Sequence, residues 1–134
     1  PASGRVFISV ADVDKEEVVP IARRLCEAGF ELVATRGTRE FLARHDIRAE
    51  IISKVHEGRP HIEDAIRSRQ VDLVINTPLD ESSQYDDFVV RRAAVMNNVP
   101  YTTTMAGAVA AVAGIEALQR ADLSVRSLQD YQQT

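Results

Sequence analysis

Side chains that could bind an anion recur at four places in this 134-residue sequence, each after a short run of apolar residues. They are Ser9, Lys15, Thr35, Thr38, Lys54, Asn76 and Thr77. Hydroxyl and amide groups donate neutral hydrogen bonds, and lysine adds a compact positive charge that strengthens the bond to a phosphate oxygen. This set indicates a phosphate or phosphate-ester site if the fold brings the four places together.

The segment 35–38, TRGT, places two hydroxyls and a glycine at the predicted start of a helix. Free backbone N–H groups and the helix dipole favour an anion at such a point. A plainer interpretation is that Thr38 only caps its helix and that Lys15 and Lys54 are ordinary surface residues. The position of the whole set directly after successive strands favours the anion site.

The loop 54–60, KVHEGRP, is a second concentration of polar groups, with His61 just beyond it. Two histidines five residues apart do not match the i, i+4 spacing of a helical metal-binding pair, so we predict no metal site. His56 could act as a general acid or base, but no nucleophile neighbours it in sequence. We therefore predict no catalytic residue.

Other reactive side chains have plainer interpretations. Cys26 lies on the apolar stripe of the first predicted helix and is expected in the core. Four carboxylates are expected in a solvated loop and at a helix start: Asp80, Glu81, Asp86 and Asp87. Arg91 and Arg92 point to solvent or to a partner, and the sequence does not decide between these.

The elements that must position these groups alternate between strand and helix. Apolar runs predict strands at 5–10, 30–34, 49–52, 72–76 and 99–103, and helical spacing predicts helices between them. The first helix begins with a capping box of Asp14 and Glu17 and ends before a left-handed Gly29. Further helices are predicted at 38–45, 60–68, 86–97 and 106–118, the last of them largely buried. The fold class is therefore α/β, a three-layer α/β/α sandwich around a five-stranded, mostly parallel sheet.

Length and composition indicate one domain over 1–134, with an ordered core at about 5–120 and a polar tail at 121–134. The absence of a starting Met suggests a piece excised from a longer chain. A net charge of −4 argues against a nucleic-acid partner, and no apolar run is long enough to cross a membrane. With a single cysteine and no secretory signal, we expect a cytoplasmic protein.

Six segments carry a resemblance to a known family, and together they cover nearly the whole chain. They are VFISVADVDK, GFELVATRGT, SKVHEGRPHI, DLVINTP, VVRRAA and YTTT. With them the chain resembles the methylglyoxal synthase-like (MGS-like) domain, in the version that ends the large subunit of carbamoyl phosphate synthetase. KVHEGRPHI is the most specific of the six.

The resemblance implies an allosteric domain without catalytic residues that binds UMP, or in some members IMP, at the strand ends. The seven anion-binding candidates fall on positions similar to the family's phosphate and ribose contacts, although Pro78 replaces a hydroxyl found in many relatives. An ornithine site is implied at Tyr101, Thr102 and Thr103, where Thr102 replaces a carboxylate that would pair with the amine. The implied partners are the rest of the large subunit and the glutaminase small subunit. ATP, Mg and possible K would serve those missing domains, with no cofactor here.

Three alternatives share parts of this pattern. A methylglyoxal synthase would place a histidine at Ala11 and carry a GGDQQ-like segment, and this sequence has neither. An IMP cyclohydrolase domain also begins with a strand, Ser and Lys, but KVHEGRPHI argues against it. A stand-alone nucleotide-binding module is disfavoured by the missing Met.

Overall fold

The computed structural model describes residues 4–52, 61–77 and 84–132. Its strands are β1 (Arg5–Ser9), β2 (Glu31–Ala34), β3 (Glu50–Ile51), β4 (Leu73–Asn76) and β5 (Tyr101–Thr102). Its helices are α1 (Lys15–Glu27), α2 (Arg36–Ala43), α3 (Ile62–Arg67), α4 (Gln84–Met96) and α5 (Met105–Gln132), and a 3₁₀ turn at Asp12–Asp14 precedes α1. The alternation of strands and helices predicted from the sequence is confirmed.

The five strands form one sheet in the order β3-β2-β1-β4-β5, and every pairing is parallel. The chain leaves β1 toward β2 on one side and returns to β4 on the other. The strand order therefore reverses between β1 and β4. In parallel α/β sheets, such a reversal opens a crevice at the carboxyl ends of the two strands, which is where ligands bind.

The sheet is apolar on both faces because each central strand alternates its side chains between two cores. Val6 and Ile8 of β1 pack with α1, α2 and α5, whereas Phe7 packs with α3 and α4. The same period of two divides β2 and β4 between the cores. The predicted α/β/α layering is confirmed, and the helices that follow β1 and β4 lie on opposite faces.

Of the two predictions made for the ends of α1, one is wrong and one is confirmed. The predicted capping box is wrong: Asp14 makes no side-chain capping hydrogen bond, because the 3₁₀ turn gives it helical backbone angles instead of the extended ones that a cap needs. The predicted left-handed Gly29 is confirmed, with a φ of 93°. The helix also continues through the exposed Pro20 to Glu27.

The core predicted from the sequence is wrong at Cys26 and along most of α5. Cys26 is exposed. Partial burial of the thiol, and then the negative charge of the neighbouring Glu27, raise the Cys26 pKa.

The predicted burial of most of α5 is wrong, and so is its predicted end at Leu118. The helix continues to Gln132, through most of the predicted tail. One stripe of α5 is buried, at Met105, Ala108, Val112 and Ile115. The rest of the helix exposes small alanines together with larger apolar side chains, at Val109, Leu118, Leu123 and Val125. No helix in the described ranges is long and apolar enough to cross a membrane.

Candidate functional site

The carboxyl ends of β1 and β4 bring two predicted residues together. Ser9 and Asn76 are register partners in adjacent strands, so their side chains leave the sheet on the same face. Both are essentially fully buried, at 0% and 1% exposure. Buried polar groups need hydrogen-bond partners. Polar contacts are therefore expected at the carboxyl ends of these two strands.

A cluster of three hydroxyls extends from Ser9 across to β2 and α2. Thr35 Oγ1 lies 3.3 Å from Ser9 Oγ and 3.5 Å from Thr38 Oγ1. The three side chains come from the end of β1, the residue after β2 and the first turn of α2. We call Ser9, Thr35 and Thr38 the hydroxyl cluster.

Thr38 and Thr77 hold the loop that follows β1. Thr38 Oγ1 accepts the N–H of Val10 at 3.3 Å, and Thr77 Oγ1 accepts the N–H of Ala11 at 2.8 Å. The plainer interpretation of Thr38 as a helix cap is wrong, because α2 begins two residues earlier and its N-cap is Thr35. Each threonine oxygen accepts a backbone proton, and its own O–H proton is still able to be donated.

The start of α2 lies beside the hydroxyl cluster and carries positive potential. Thr35 occupies the N-cap but makes no side-chain capping bond, and the first N–H groups of a helix have no partner within it. Lys15 Nζ lies 3.8 Å from the point that a Cβ on Gly37 would occupy, over this first turn. The ammonium pairs with Asp12, and that hydrogen bond, with the lysine charge, lowers the Asp12 pKa. A bound anion could replace Asp12 as the partner of the Lys15 ammonium.

Asn76 belongs to a second group on the β5 side. Its Nδ2 donates to Asp87 Oδ1 at 3.0 Å and to Tyr101 OH at 2.9 Å. Burial raises the pKa of Tyr101, so the phenol is neutral at pH 7. The sequence placed Asp87 in a solvated position and missed this contact, for which no local spacing gives a signal. Only the crossing from β4 to α4 brings residues 76 and 87 together.

The structure does not bring the predicted ornithine residues together. Tyr101 faces the core beside α3 and α4, whereas Thr102 contacts the start of α5 and donates to the Thr104 carbonyl oxygen at 3.0 Å. Adjacent strand residues point to opposite faces, which explains the separation. Thr103 is exposed.

Several predicted residues lie outside the described ranges, including Lys54, His56 and Pro78. His61 is described and buried, with Nε2 3.5 Å from Asp64 Oδ2. Within the described ranges, no three acidic, histidine or cysteine side chains are grouped closely enough to hold a metal ion.

Two surface grooves differ in their relation to these residues. A groove of about 300 Å³ is lined by Lys15 and Gly37 together with Asp12, Glu40, Phe41 and Arg44. A larger groove of about 820 Å³ lies between α3 and α4 and contains none of the predicted site residues. We place the site by its polar chemistry and by the strand reversal, because groove size alone does not select a ligand.

Comparison with known proteins adds the following similarities. A family model described as the MGS-like domain matches residues 17–103. The chain is 53% identical over 134 residues to the carbamoyl phosphate synthase large chain of Rhizobium meliloti (strain 1021), covering 100% of this chain and 12% of that relative. It is 44% identical over 132 residues to the large chain of Methanosarcina barkeri (strain Fusaro / DSM 804), covering 98% of this chain and 12% of the relative.

A solved structure shares the fold. The crystal structure of methylglyoxal synthase from Elizabethkingia anophelis NUHP1 matches with a TM-score of 0.65 and 18% identity, over 84% of this chain and 78% of that one. At this identity the likeness concerns the fold alone.

Proposed function

The chain belongs to the MGS-like domain family, and on that premise we propose that it is the regulatory domain of a carbamoyl phosphate synthase large chain. Its ligand is a nucleoside monophosphate such as UMP or IMP. The identity to such large chains extends over essentially the whole of this chain, while the chain spans 12% of their length. The ATP-dependent ligase chemistry, with its Mg, then belongs to the catalytic domains of the large chain outside this sequence, and the glutaminase small subunit is a partner of the assembled synthase.

One observation carries the proposed ligand: the hydroxyl cluster lies at the uncapped start of α2, and Lys15 Nζ approaches Gly37 in the first turn of the same helix. Hydroxyl donors, free helix N–H groups and a lysine charge together suit the three terminal oxygens of a phosphate monoester. The strand reversal between β1 and β4 is where an α/β sheet binds such ligands. Lys54 would add a second charge.

Regulation follows if the ligand prefers one of two arrangements of the whole synthase. A coupling free energy of ~1–3 kcal/mol would change the affinity of the distant ATP sites about 5- to 150-fold, and ATP would change nucleotide affinity by the same factor. No group in this chain then needs to react. In this proposal the domain binds the nucleotide, and the remainder of the synthase catalyses the ATP-dependent reaction.

The first test is isothermal titration of the chain with UMP, IMP, ornithine and inorganic phosphate. We expect UMP or IMP to bind more tightly than phosphate. Lys15→Ala should weaken nucleotide binding by ~1.5–3 kcal/mol, because a charge-assisted hydrogen bond is lost. Arg48→Ala is a matched control, since it removes one exposed positive charge before β3, at the opposite end of the sheet.

Two results would contradict the proposal. The first is the absence of nucleotide binding in a folded chain. The second is release of methylglyoxal from dihydroxyacetone phosphate above a heat-inactivated control, which would make the chain an enzyme.

A further inference from the structure

The positive charge that Lys15 brings to the start of α2 is already paired with a carboxylate of this chain. Lys15 Nζ lies 3.8 Å from the point that a Cβ on Gly37 would occupy, and the lysine side chain is only 12% exposed. The Asp12 side chain is 95% exposed and forms the one ion pair that Lys15 makes within the described ranges. The ammonium is therefore held at the proposed site, whereas the carboxylate that neutralises it lies at the surface.

The backbone keeps Asp12 close to Lys15. Asp12 begins the 3₁₀ turn, in which the Asp14 N–H donates to the Ala11 carbonyl oxygen at 2.9 Å. The Ala11 N–H donates to Thr77 Oγ1 at 2.8 Å, which attaches the turn to the residue after β4. The Asp12 side chain can therefore leave Lys15 by rotating into water, and this rotation needs no movement of the fold.

Two other charged side chains line the groove that contains Lys15. They are Glu40 and Arg44 of the α2 segment, and both are exposed. Glu40 makes no ion pair with Lys15 in the part of the chain that the structure describes. Of the two carboxylates in this groove, Asp12 is therefore the one in direct contact with the ammonium.

A phosphate that binds the Lys15 ammonium would compete with the Asp12 carboxylate. Both groups accept charge-assisted hydrogen bonds from the same nitrogen, so they would lie within a few ångströms of each other and their negative charges would repel. An exposed ion pair contributes little free energy, so the phosphate can separate this one. The separation nevertheless reduces the affinity that the ligand would otherwise have.

We propose that Asp12 is an internal competitor of the ligand: in the free domain its carboxylate occupies the Lys15 ammonium, and a nucleotide binds only by displacing it. The inference rests on the proposed function. The competition lowers the affinity of every ligand that uses Lys15 by one common factor, whatever its base or sugar. Asp12 thus sets the concentration range over which the domain responds, without contacting the ligand.

The first test is calorimetric titration of Asp12→Asn with UMP and with inorganic phosphate. Both ligands should bind about two- to fivefold more tightly than they bind wild type, because an exposed ion pair no longer opposes them. Glu40→Gln is the matched control, since it removes the other carboxylate of the groove without removing an ion pair of Lys15. It should change both affinities less than Asp12→Asn does.

Two further measurements separate displacement from a general effect of charge. In a Lys15→Ala chain, the added Asp12→Asn change should leave UMP affinity unaltered, because the ammonium for which Asp12 competes is gone. In wild type, the hydrogen bond and charge of Lys15 hold the pKa of Asp12 below its usual value. Saturating UMP should raise that pKa, followed by NMR of the Asp12 carboxyl carbon, because displacement removes the ammonium from the carboxylate.

The outcomes distinguish this inference from the proposed function. Equal UMP affinity of wild type and Asp12→Asn overturns the inference and leaves the proposed function in place. Weaker binding by Asp12→Asn overturns it too, because Asp12 would then contact the ligand, and so does an equal gain in Glu40→Gln or an Asp12 pKa that UMP does not raise. Absence of UMP binding by wild type and by both variants overturns the proposed function together with the inference.

Discussion

At the scale of single residues, the threonines of the site differ in what their oxygens accept. Thr38 and Thr77 accept the N–H groups of Val10 and Ala11, and both side chains are 2% exposed. Thr35 is half-buried, and its hydrogen bonds join other hydroxyls. At the proposed site, the first two threonines would therefore serve folding as well as ligand binding, whereas Thr35 holds no backbone group in the described residues.

This difference predicts that three similar substitutions will affect different properties of the chain. Thr38→Val and Thr77→Val should each lower the free energy of unfolding by ~1–3 kcal/mol, because valine leaves a buried N–H without its acceptor. Thr35→Val should lower that free energy less than either, because only hydroxyl contacts of 3.3 and 3.5 Å are lost, while it reduces affinity for UMP and for free phosphate together. Urea unfolding followed by circular dichroism measures the first effect and calorimetric titration the second. A Thr38→Val chain as stable as wild type would show that the Val10 contact contributes nothing.

The sequence predicted that these residues would lie near one another, because they follow apolar runs closely and parallel strands end on the same side of the sheet. It could not predict how they would pair. Asp87 is eleven residues from Asn76, and the fold alone makes them neighbours at 3.0 Å. The split of Tyr101 and Thr102 between two faces likewise needed the register of β5 with β4.

At the scale of elements, strands with apolar residues on both faces were predicted most accurately, since β1, β2 and β4 begin or end within one residue of their predicted bounds. Helix ends were less predictable. Thr104, which accepts the Gly107 N–H at 3.0 Å, begins α5 with the contact of a true N-cap, whereas the more conspicuous Asp14 makes none. Both side chains are of types that can cap a helix, so the path of the preceding backbone decides between them.

Two glycines of α5 provide a matched test of local packing. A Cβ on Gly114 would meet nothing within 4 Å, whereas one on Gly107 would lie 2.7 Å from Thr102 Oγ1. Gly114→Ala should raise the free energy of unfolding by ~0.5–1 kcal/mol through helix propensity. Gly107→Ala should gain nothing or lose stability, because the side chains of Thr102 and Thr104 must move away from the added methyl group. Equal stabilisation by both, measured by thermal unfolding, would contradict the close approach of this turn to α5.

At the scale of the whole molecule, α5 is fastened to α1 by polar contacts that join distant parts of the chain. Arg24 Nε donates to Glu116 Oε2 at 3.1 Å, its Nη2 bonds the other carboxylate oxygen, and Gln119 Nε2 donates to the Ala28 carbonyl oxygen at 2.8 Å. Beneath them, the buried stripe of α5 completes the core formed by α1 and β1. These contacts fix α5 beside the face of the sheet that carries Lys15 and α2.

The Arg24–Glu116 pair gives the stability of the molecule a defined pH dependence. The hydrogen bond from Arg24, followed by the Arg24 and Arg120 charges, lowers the pKa of Glu116 in the folded chain. A carboxyl whose folded pKa is lowered stabilises the fold fully above its unfolded pKa, and this contribution disappears as the pH falls through the folded pKa. Glu116→Gln should therefore lower the melting temperature at pH 7, and the gap from wild type should close in acid. Glu27→Gln, an exposed change on α1, is the control and should produce no such convergence. Melting curves from pH 7 to about pH 3 that keep a constant gap would show that the charge of Glu116 does not hold α5 to α1.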